Sequence, residues 1–356
     1  MLTRLTLSDF RNYEDALIVP RDDFIVLTGD NGAGKTNILE AVSLLAPGRG
    51  LRGAALSQMV RQQGGSGFGV AAQVDGVTIG TGTTADAPDR RQVRVGGVAH
   101  AASVLAEHLS IVWLTPAMDR LFMESAGGRR RFLDRLTLTL DPAHGGHATR
   151  YEAAMRARNK LLGDKSRVWD EHWLAALETQ MAEHGAAVHG ARCALVKRLG
   201  EALSTAPDGP FARPALELSL WEEAERPLAD LLQEARRRDA AAGRTLSGPH
   251  RCDLLVTHVA KGQAAALCST GEQKALLLSI LLAHAALVGQ ARGKAPVLLL
   301  DEVAAHIDPA RRLALFERLA ATGSQVWMTG TEASLFDGIS DATRLHIENG
   351  RALTLK

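Results

Sequence analysis

Eight consecutive residues, Gly29-Asp30-Asn31-Gly32-Ala33-Gly34-Lys35-Thr36, restrict what this chain can fold into more than any other feature of it. They fill the pattern GxxxxGK[ST] completely. A short apolar run, Phe24-Ile25-Val26-Leu27, precedes them. Ile38, Leu39, Val42 and Leu45 follow at helical spacing until Pro47-Gly48 stops the helix. Strand, glycine-rich turn and helix in that order make a phosphate cradle. The glycines let successive N–H groups turn inward, and the helix N-terminus adds about half a positive charge. Lys35 is placed to reach the β and γ phosphates of a nucleoside triphosphate, and the Thr36 hydroxyl to ligate Mg2+. ATP and Mg2+ are the expected cofactors. An ordinary glycine-rich turn would need neither the strand nor the helix.

A second signal is Val297-Leu298-Leu299-Leu300-Asp301-Glu302. Four apolar residues followed by two acids describe a buried parallel strand that delivers carboxylates to the C-terminal edge of a sheet. Asp301 is expected to hold the Mg2+ shell and Glu302 to be the base that positions the attacking water. Many strands end in acids, and a capping role for Asp301 is the plain alternative; the pairing with the P-loop gives the pattern its weight.

A third signal, Ser269-Thr270-Gly271-Glu272-Gln273-Lys274, stands one helix upstream of Asp301. Ser269 suits an N-cap, and Gly271 lets backbone amides approach a phosphate. In isolation these residues would read as a capping box. Between the P-loop and the two acids they resemble the signature motif of ABC-type ATPases, usually written LSGGQ. The resemblance implies that Ser269, Thr270, Gly271, Glu272 and Gln273 contact the γ-phosphate held by an opposite copy, so that ATP joins a homodimer. It also places the loop crossing the dimer interface at Val303 to Asp308, with Asp308 the expected contact; His306 departs from the small or acidic residues usual there. ABC transporters carry a switch histidine after the next strand, whereas this chain reads Trp327-Met328-Thr329-Gly330-Thr331. That difference implies slow turnover.

The motifs sit in an α/β frame. Residues 2 to 28 read as two strands, and the Gly, Thr and Val of 64 to 98 as meandering antiparallel strands. From Pro116 to about Gly243 the pattern is mostly helical. Trp169, Trp173, Leu177, Met181, Val188, Leu195, Leu199 and Leu203 predict one helix about 50 Å long with an apolar stripe. A helix over 272 to 288, a second from Pro309 to Ala321 and a strand from Gln325 to Met328 complete the pattern. The expected architecture is an ABC-type P-loop ATPase head with a mixed sheet, its lobes at 1–115 and 244–356, and a mainly helical inserted subdomain at 116–243.

Further stretches resemble the RecF family specifically, from the first residues to the last strand. They are Ser8-Asp9-Phe10-Arg11-Asn12-Tyr13, Thr36-Asn37-Ile38-Leu39-Glu40-Ala41, Gly48-Arg49-Gly50-Leu51-Arg52, and Thr115-Pro116 with Arg129-Arg130-Arg131-Phe132-Leu133-Asp134. Gly248-Pro249-His250-Arg251-Cys252-Asp253 matches its GPHRDD pattern, with Cys252 where an acid is usual. The resemblance implies slow ATP hydrolysis, ATP-driven dimerisation, binding to DNA at single-strand gaps and duplex junctions, and work with RecO and RecR in loading RecA. It also implies that Arg11 and Asn12 lie near the ribose or base.

A formal net charge of +1 means that any DNA surface must be a local patch offset by acids elsewhere. Candidates are Arg129, Arg130, Arg131 and Arg135; Arg236, Arg237 and Arg238; and Arg49 with Arg52. Solvated helix faces are the plain alternative. Aromatic residues at 4% argue against stacking on single-stranded bases and for backbone contacts. Cys193, Cys252 and Cys268 contain no CxxC pair, and the N-terminus alternates rather than running apolar. The longest apolar stretch, Ala275 to Val288, falls short of the ~20 residues that span a bilayer. These features predict a cytoplasmic protein with no membrane partner. A transporter ATPase subunit is opposed by the long insertion and the missing histidine. A chromosome-structuring head of the SMC type is opposed by an insertion too short for a coiled-coil arm.

Overall fold

The computed structural model describes residues 1–164, 169–206, 209–305 and 307–354. In chain order its strands are β1 (Leu2–Phe10), β2 (Tyr13–Ile18), β3 (Phe24–Thr28), β4 (Gly69–Val74), β5 (Val77–Thr84), β6 (Ala87–Val95), β7 (Val98–His100) and β8 (Ile111–Leu114). They continue as β9 (Pro214–Ser219), β10 (Asp253–His258), β11 (Gln263–Ala264), β12 (Val297–Leu300), β13 (Val326–Gly330), β14 (Ala342–Glu348) and β15 (Arg351–Thr354). The chain divides into two compact units, one of Met1–Asp119, Asp208–Phe211 and Leu277–Lys356, the other of Arg120–Pro207 and Ala212–Leu276.

The first unit holds two six-stranded sheets. One is antiparallel, in the order β2-β1-β4-β5-β6-β7, and its strands alternate: Leu2, Leu5, Leu7 and Phe10 of β1 point into the core. The other, β15-β14-β3-β13-β12-β8, is parallel across its centre. Every residue of β3, β12 and β13 is buried, as continuous apolar runs require when both faces are covered. The helix Lys35–Ser43 packs its Ile38, Leu39 and Val42 into the same core. Residues 2 to 28 form three strands, where the pattern predicts two. The missed turn is at Arg11 and Asn12, between the paired residues Phe10 and Tyr13, and Arg11 adopts a φ of 57° without being glycine.

The second unit packs the helices Ala126–Leu140, His144–Gly163, Glu171–Thr205, Leu228–Glu234 and Arg236–Ala242 with a three-stranded antiparallel sheet, β11-β10-β9. The boundary expected at 243 falls instead inside the helix Thr270–Arg292, because β10 pairs along its length with β9 and so belongs to this unit. On the long helix Leu177, Met181, Val188, Leu195, Leu199 and Leu203 are buried as the stripe predicts, and Leu174, outside the stripe, is buried with them. Trp173 is not; it is 53% exposed near the helix start, where Asp170 accepts from its N–H. Thr270–Arg292 is long and apolar enough, by length and composition, to cross a membrane, contrary to the shorter stretch expected. Just over half of its apolar window, 56%, is buried inside the protein, as in a core helix.

The polar centre of this unit is Arg158, whose side chain is wholly buried. It donates to Glu178 (3.0 Å), Asp239 (2.7 Å), Thr245 Oγ1 (3.0 Å) and the Leu232 carbonyl (2.6 Å). Burying a cation costs several kcal/mol unless acids surround it, and removing the cation leaves those acids uncompensated. Arg158→Met is therefore expected to destabilise the protein by about 3–5 kcal/mol, read as a lower urea midpoint. An unchanged midpoint would show the network to be dispensable.

Candidate functional site

Three glycines shape the P-loop, with φ of 140° at Gly29, 82° at Gly32 and 115° at Gly34. Gly34 has a second constraint: a Cβ there would lie 2.5 Å from Asn12 Nδ2 and 2.8 Å from the Tyr13 hydroxyl. The Tyr13 hydroxyl donates to Gly34 O (3.0 Å) and Asn12 Nδ2 to Ala33 O (2.9 Å), so the β1–β2 turn braces the loop. Lys35 is 5% exposed and donates to Gly29 O (2.6 Å) and Asp30 O (2.8 Å). Burial lowers its pKa, while Glu302, Asp301 and Asp30 oppose that shift. Asp30 and Asn31 stand exposed at the head of the loop.

Asp301 lies where the sequence predicts, just past β12. Its Oδ1 accepts from Thr36 Oγ1 (2.9 Å) and from Thr329 Oγ1 (2.8 Å). Two hard oxygen donors in contact, one a buried carboxylate whose hydrogen-bonding partners are hydroxyls, form a donor set that suits Mg2+. Glu302 adopts a φ of 53°, in the left-handed region that few residues with a side chain occupy. Its N–H donates to Thr329 Oγ1 (2.8 Å), fixing the strained backbone.

Arg11 does not reach towards the loop as its expected ribose or base contact requires. Its Nε and Nη2 clamp Glu40 (2.8 Å each) and its Nη1 donates to Gln58 O (2.6 Å). Glu40 also takes Arg52 (2.9 Å), so Arg11 and Arg52 neutralise one buried carboxylate of the P-loop helix. Asn12 stays at the loop and accepts from Asn37 (2.7 Å).

In the second unit Ser269, Thr270 and Gly271 are exposed at the start of Thr270–Arg292. Ser269 and Glu272 form the reciprocal bonds of a capping box: Ser269 N–H donates to Glu272 Oε2 (3.0 Å), and Glu272 N–H to Ser269 Oγ (3.4 Å). The Lys261 ammonium, 2.5 Å from Glu272, and the Ser269 bonds push the Glu272 carboxyl down to about 2. Gln273 is buried, donating to Cys268 O (2.9 Å), which withdraws its side chain from the set of contacts expected for this turn. Asp308 caps Pro309–Ala321 by accepting from Arg311 N–H (3.0 Å), and His306 lies outside the described residues.

Three of the arginines expected on a DNA surface are engaged by acids and carbonyls of the second unit. Arg129 forms a two-pronged pair with Asp253 (2.7 Å each) and also donates to the Phe122 and Glu124 carbonyls. Arg130 donates to Cys252 O (2.7 Å). Arg236 is buried against Glu178 (3.0 and 2.6 Å) and reaches Glu171 (3.1 Å). These arginines hold the second unit together. Arg131, Arg237 and Arg238 remain exposed.

Residues 1–352 match the family model RecF/RecN/SMC N terminal domain. The chain is 50% identical to the DNA replication and repair protein RecF of Rhizobium rhizogenes, with 96% of this chain and 94% of that one covered. It is 46% identical to the protein of that name from Brucella suis, covering 98% and 95%. The chain belongs to the RecF family of DNA replication and repair proteins. A solved structure of the recombination mediator protein RecF with ATP, from the RecFOR pathway, superposes with a TM-score of 0.84 at 22% identity, covering 100% of this chain and 97% of that one. An SMC head bound to the winged-helix domain of ScpA superposes with a TM-score of 0.56 at 16% identity, covering 100% and 97%. The fold is therefore the ABC-type ATPase head shared by RecF and SMC proteins.

Two residues of this chain escaped sequence reasoning. Thr329 lies on β13, and the register Leu300↔Met328 puts it beside Asp301. That register was the signal; a threonine by itself was not. Arg91 of β6 donates to the carbonyls of Leu44, Ala46 (3.1 Å) and Gly48 (2.6 Å) and to Thr81 Oγ1 (2.8 Å), placing a cation at the C-terminal end of the P-loop helix. Burial pushes it down to about 10, so it stays charged at neutral pH. Thr329→Val removes both the Asp301 and the Glu302 bonds and leaves the P-loop intact. It is expected to slow ATP hydrolysis at least about tenfold with little change in ATP affinity, measured by phosphate release and by titration with a fluorescent ATP analogue. Equal losses in both would assign Thr329 to the fold alone.

Proposed function

We propose that this RecF-family chain is a slow, Mg2+-dependent ATPase whose ATP-driven homodimer binds DNA at single-strand gaps and single-strand/double-strand junctions in the cytoplasm, and that it supports RecA loading with RecO and RecR. The observation that carries the reading is the hydrogen-bonded series Thr36–Asp301–Thr329–Glu302, because it joins a metal-type donor pair to the backbone N–H of the residue that carries the second carboxylate. In this reading the N–H groups of 29–36 cradle the triphosphate and Lys35 holds its β and γ oxygens. Thr36 and Asp301 hold Mg2+, which would screen the phosphate charge. Glu302 orients the attacking water and takes its proton, and Thr329 keeps Glu302 aimed. No histidine stands in the stretch Trp327 to Thr331, so the water is held by fewer groups than in a transporter head, which fits slow hydrolysis.

The exposed Ser269–Gly271 turn would seal the triphosphate held by a second copy. ATP then controls assembly, and assembly controls grip on DNA. Affinity measured on gapped and on blunt duplex, each with and without ATP, tests this. Gapped DNA with ATP should bind at least about tenfold tighter than the other three combinations, with a steep loss as salt rises. Equal affinity for blunt duplex would remove the gap reading.

A further inference from the structure

The turn 248–253 is pinned at every residue but one. Gly248 has a φ of +127°, and a Cβ there would lie 2.4 Å from the Tyr151 hydroxyl, so only glycine lets the turn sit against that ring. Pro249 O accepts from Arg192 (2.7 Å). His250 Nδ1 accepts from the Tyr151 hydroxyl (2.7 Å) and Nε2 donates to Thr245 O (3.0 Å). That pair of bonds needs a neutral ring, and burial pushes the His250 pKa down. Cys252 O takes Arg130 (2.7 Å), and the Asp253 carboxylate takes both prongs of Arg129. Arg251 alone is exposed, and its side chain has no partner among the described residues.

Charge within the second unit points the same way. Asp134 pairs with Arg192 and Asp253 with Arg129, whereas Arg130 makes its bond to a carbonyl. Burial and then Arg192 oppose the charge of Arg130; Asp253 supports it, and Arg251 opposes it more weakly. Cys252 fills the place of an acid with a buried thiol, which burial pushes further from ionising. A rigid turn thus presents one exposed guanidinium in a group of four arginines, Arg129, Arg130, Arg192 and Arg251, whose two carboxylates, Asp134 and Asp253, are already paired. A planar fork of N–H donors in an excess of positive charge recognises phosphate oxygens.

We infer that Arg251 is a phosphate-contacting residue of this protein, its ligand a phosphate oxygen of either the DNA backbone or a nucleoside triphosphate. The inference rests on the ATP- and DNA-binding reading above. Full-length Arg251→Gln is compared with Arg198→Gln, an exposed arginine on the helix Glu171–Thr205 whose loss changes net charge equally. One arm measures affinity for a gapped duplex against NaCl concentration; the other measures a fluorescent ATP analogue and ATP-dependent dimer mass.

If DNA is the source, Arg251→Gln binds gapped duplex about tenfold more weakly, and the slope of log K against log salt shrinks by about 0.9. If the nucleotide is the source, the slope holds and the ATP arm falls about tenfold. The Arg198 variant changes neither. Should the native protein bind no DNA at all, the DNA reading of the preceding subsection fails, and the ATP arm alone decides the role of Arg251. Arg251→Gln matching Arg198→Gln in both arms overturns the inference.

Discussion

Lys35→Ala abolishes ATP binding and dimerisation together. The Lys35 ammonium is buried and faces Asp30, Asp301 and Glu302, so it is the cation that keeps this acidic pocket from repelling a triphosphate. Alanine also strips the Gly29 and Asp30 carbonyls of their donor. Charge-assisted bonds to two phosphates are worth about 1.5–3 kcal/mol each, so affinity for ATP should fall at least about a hundredfold. Titration with a fluorescent ATP analogue reads the first loss and light scattering the second. Dimers that persist in this variant would separate assembly from the nucleotide.

Glu302→Gln gives the opposite phenotype. The amide matches the carboxylate in shape, and the backbone N–H still donates to Thr329, so the strained turn is kept. What disappears is a base. Single-turnover phosphate release is expected to slow by about 10²–10⁴, the usual contribution of a positioned base. ATP binds unaltered, so ATP-bound dimers accumulate. Unchanged phosphate release would remove Glu302 from the chemistry.

The fold and the core of the site were legible because their signals are local. Gly29 to Thr36 encodes a turn through glycines, and Leu298 to Leu300 encodes a strand buried on both faces by being apolar throughout. What a residue meets far along the chain is not local. Arg129, Arg130 and Arg236 read as basic patches, yet Asp253 is 124 residues from Arg129 and Glu178 is 58 from Arg236. A run of arginines records charge, not the acid that will claim it. Arg11 misled in the same way, since its partner Glu40 lies 29 residues on, across the P-loop. Thr329 became visible only through the pairing of β13 with β12. The domain break was misplaced because β9 and β10, separated by two helices, pair across them.

Mixing two inactive variants tests the central claim most directly. Lys35→Ala keeps a sound Ser269–Gly271 turn, and Ser269→Arg keeps a sound P-loop while blocking that turn. If each turn completes the nucleotide site of its partner, mixed dimers regain one intact site. ATP-dependent dimers and up to about half of native hydrolysis should then return on mixing, since only mixed pairs can dimerise and each has one working site of two. A mixture as inactive and monomeric as either variant alone would contradict the account.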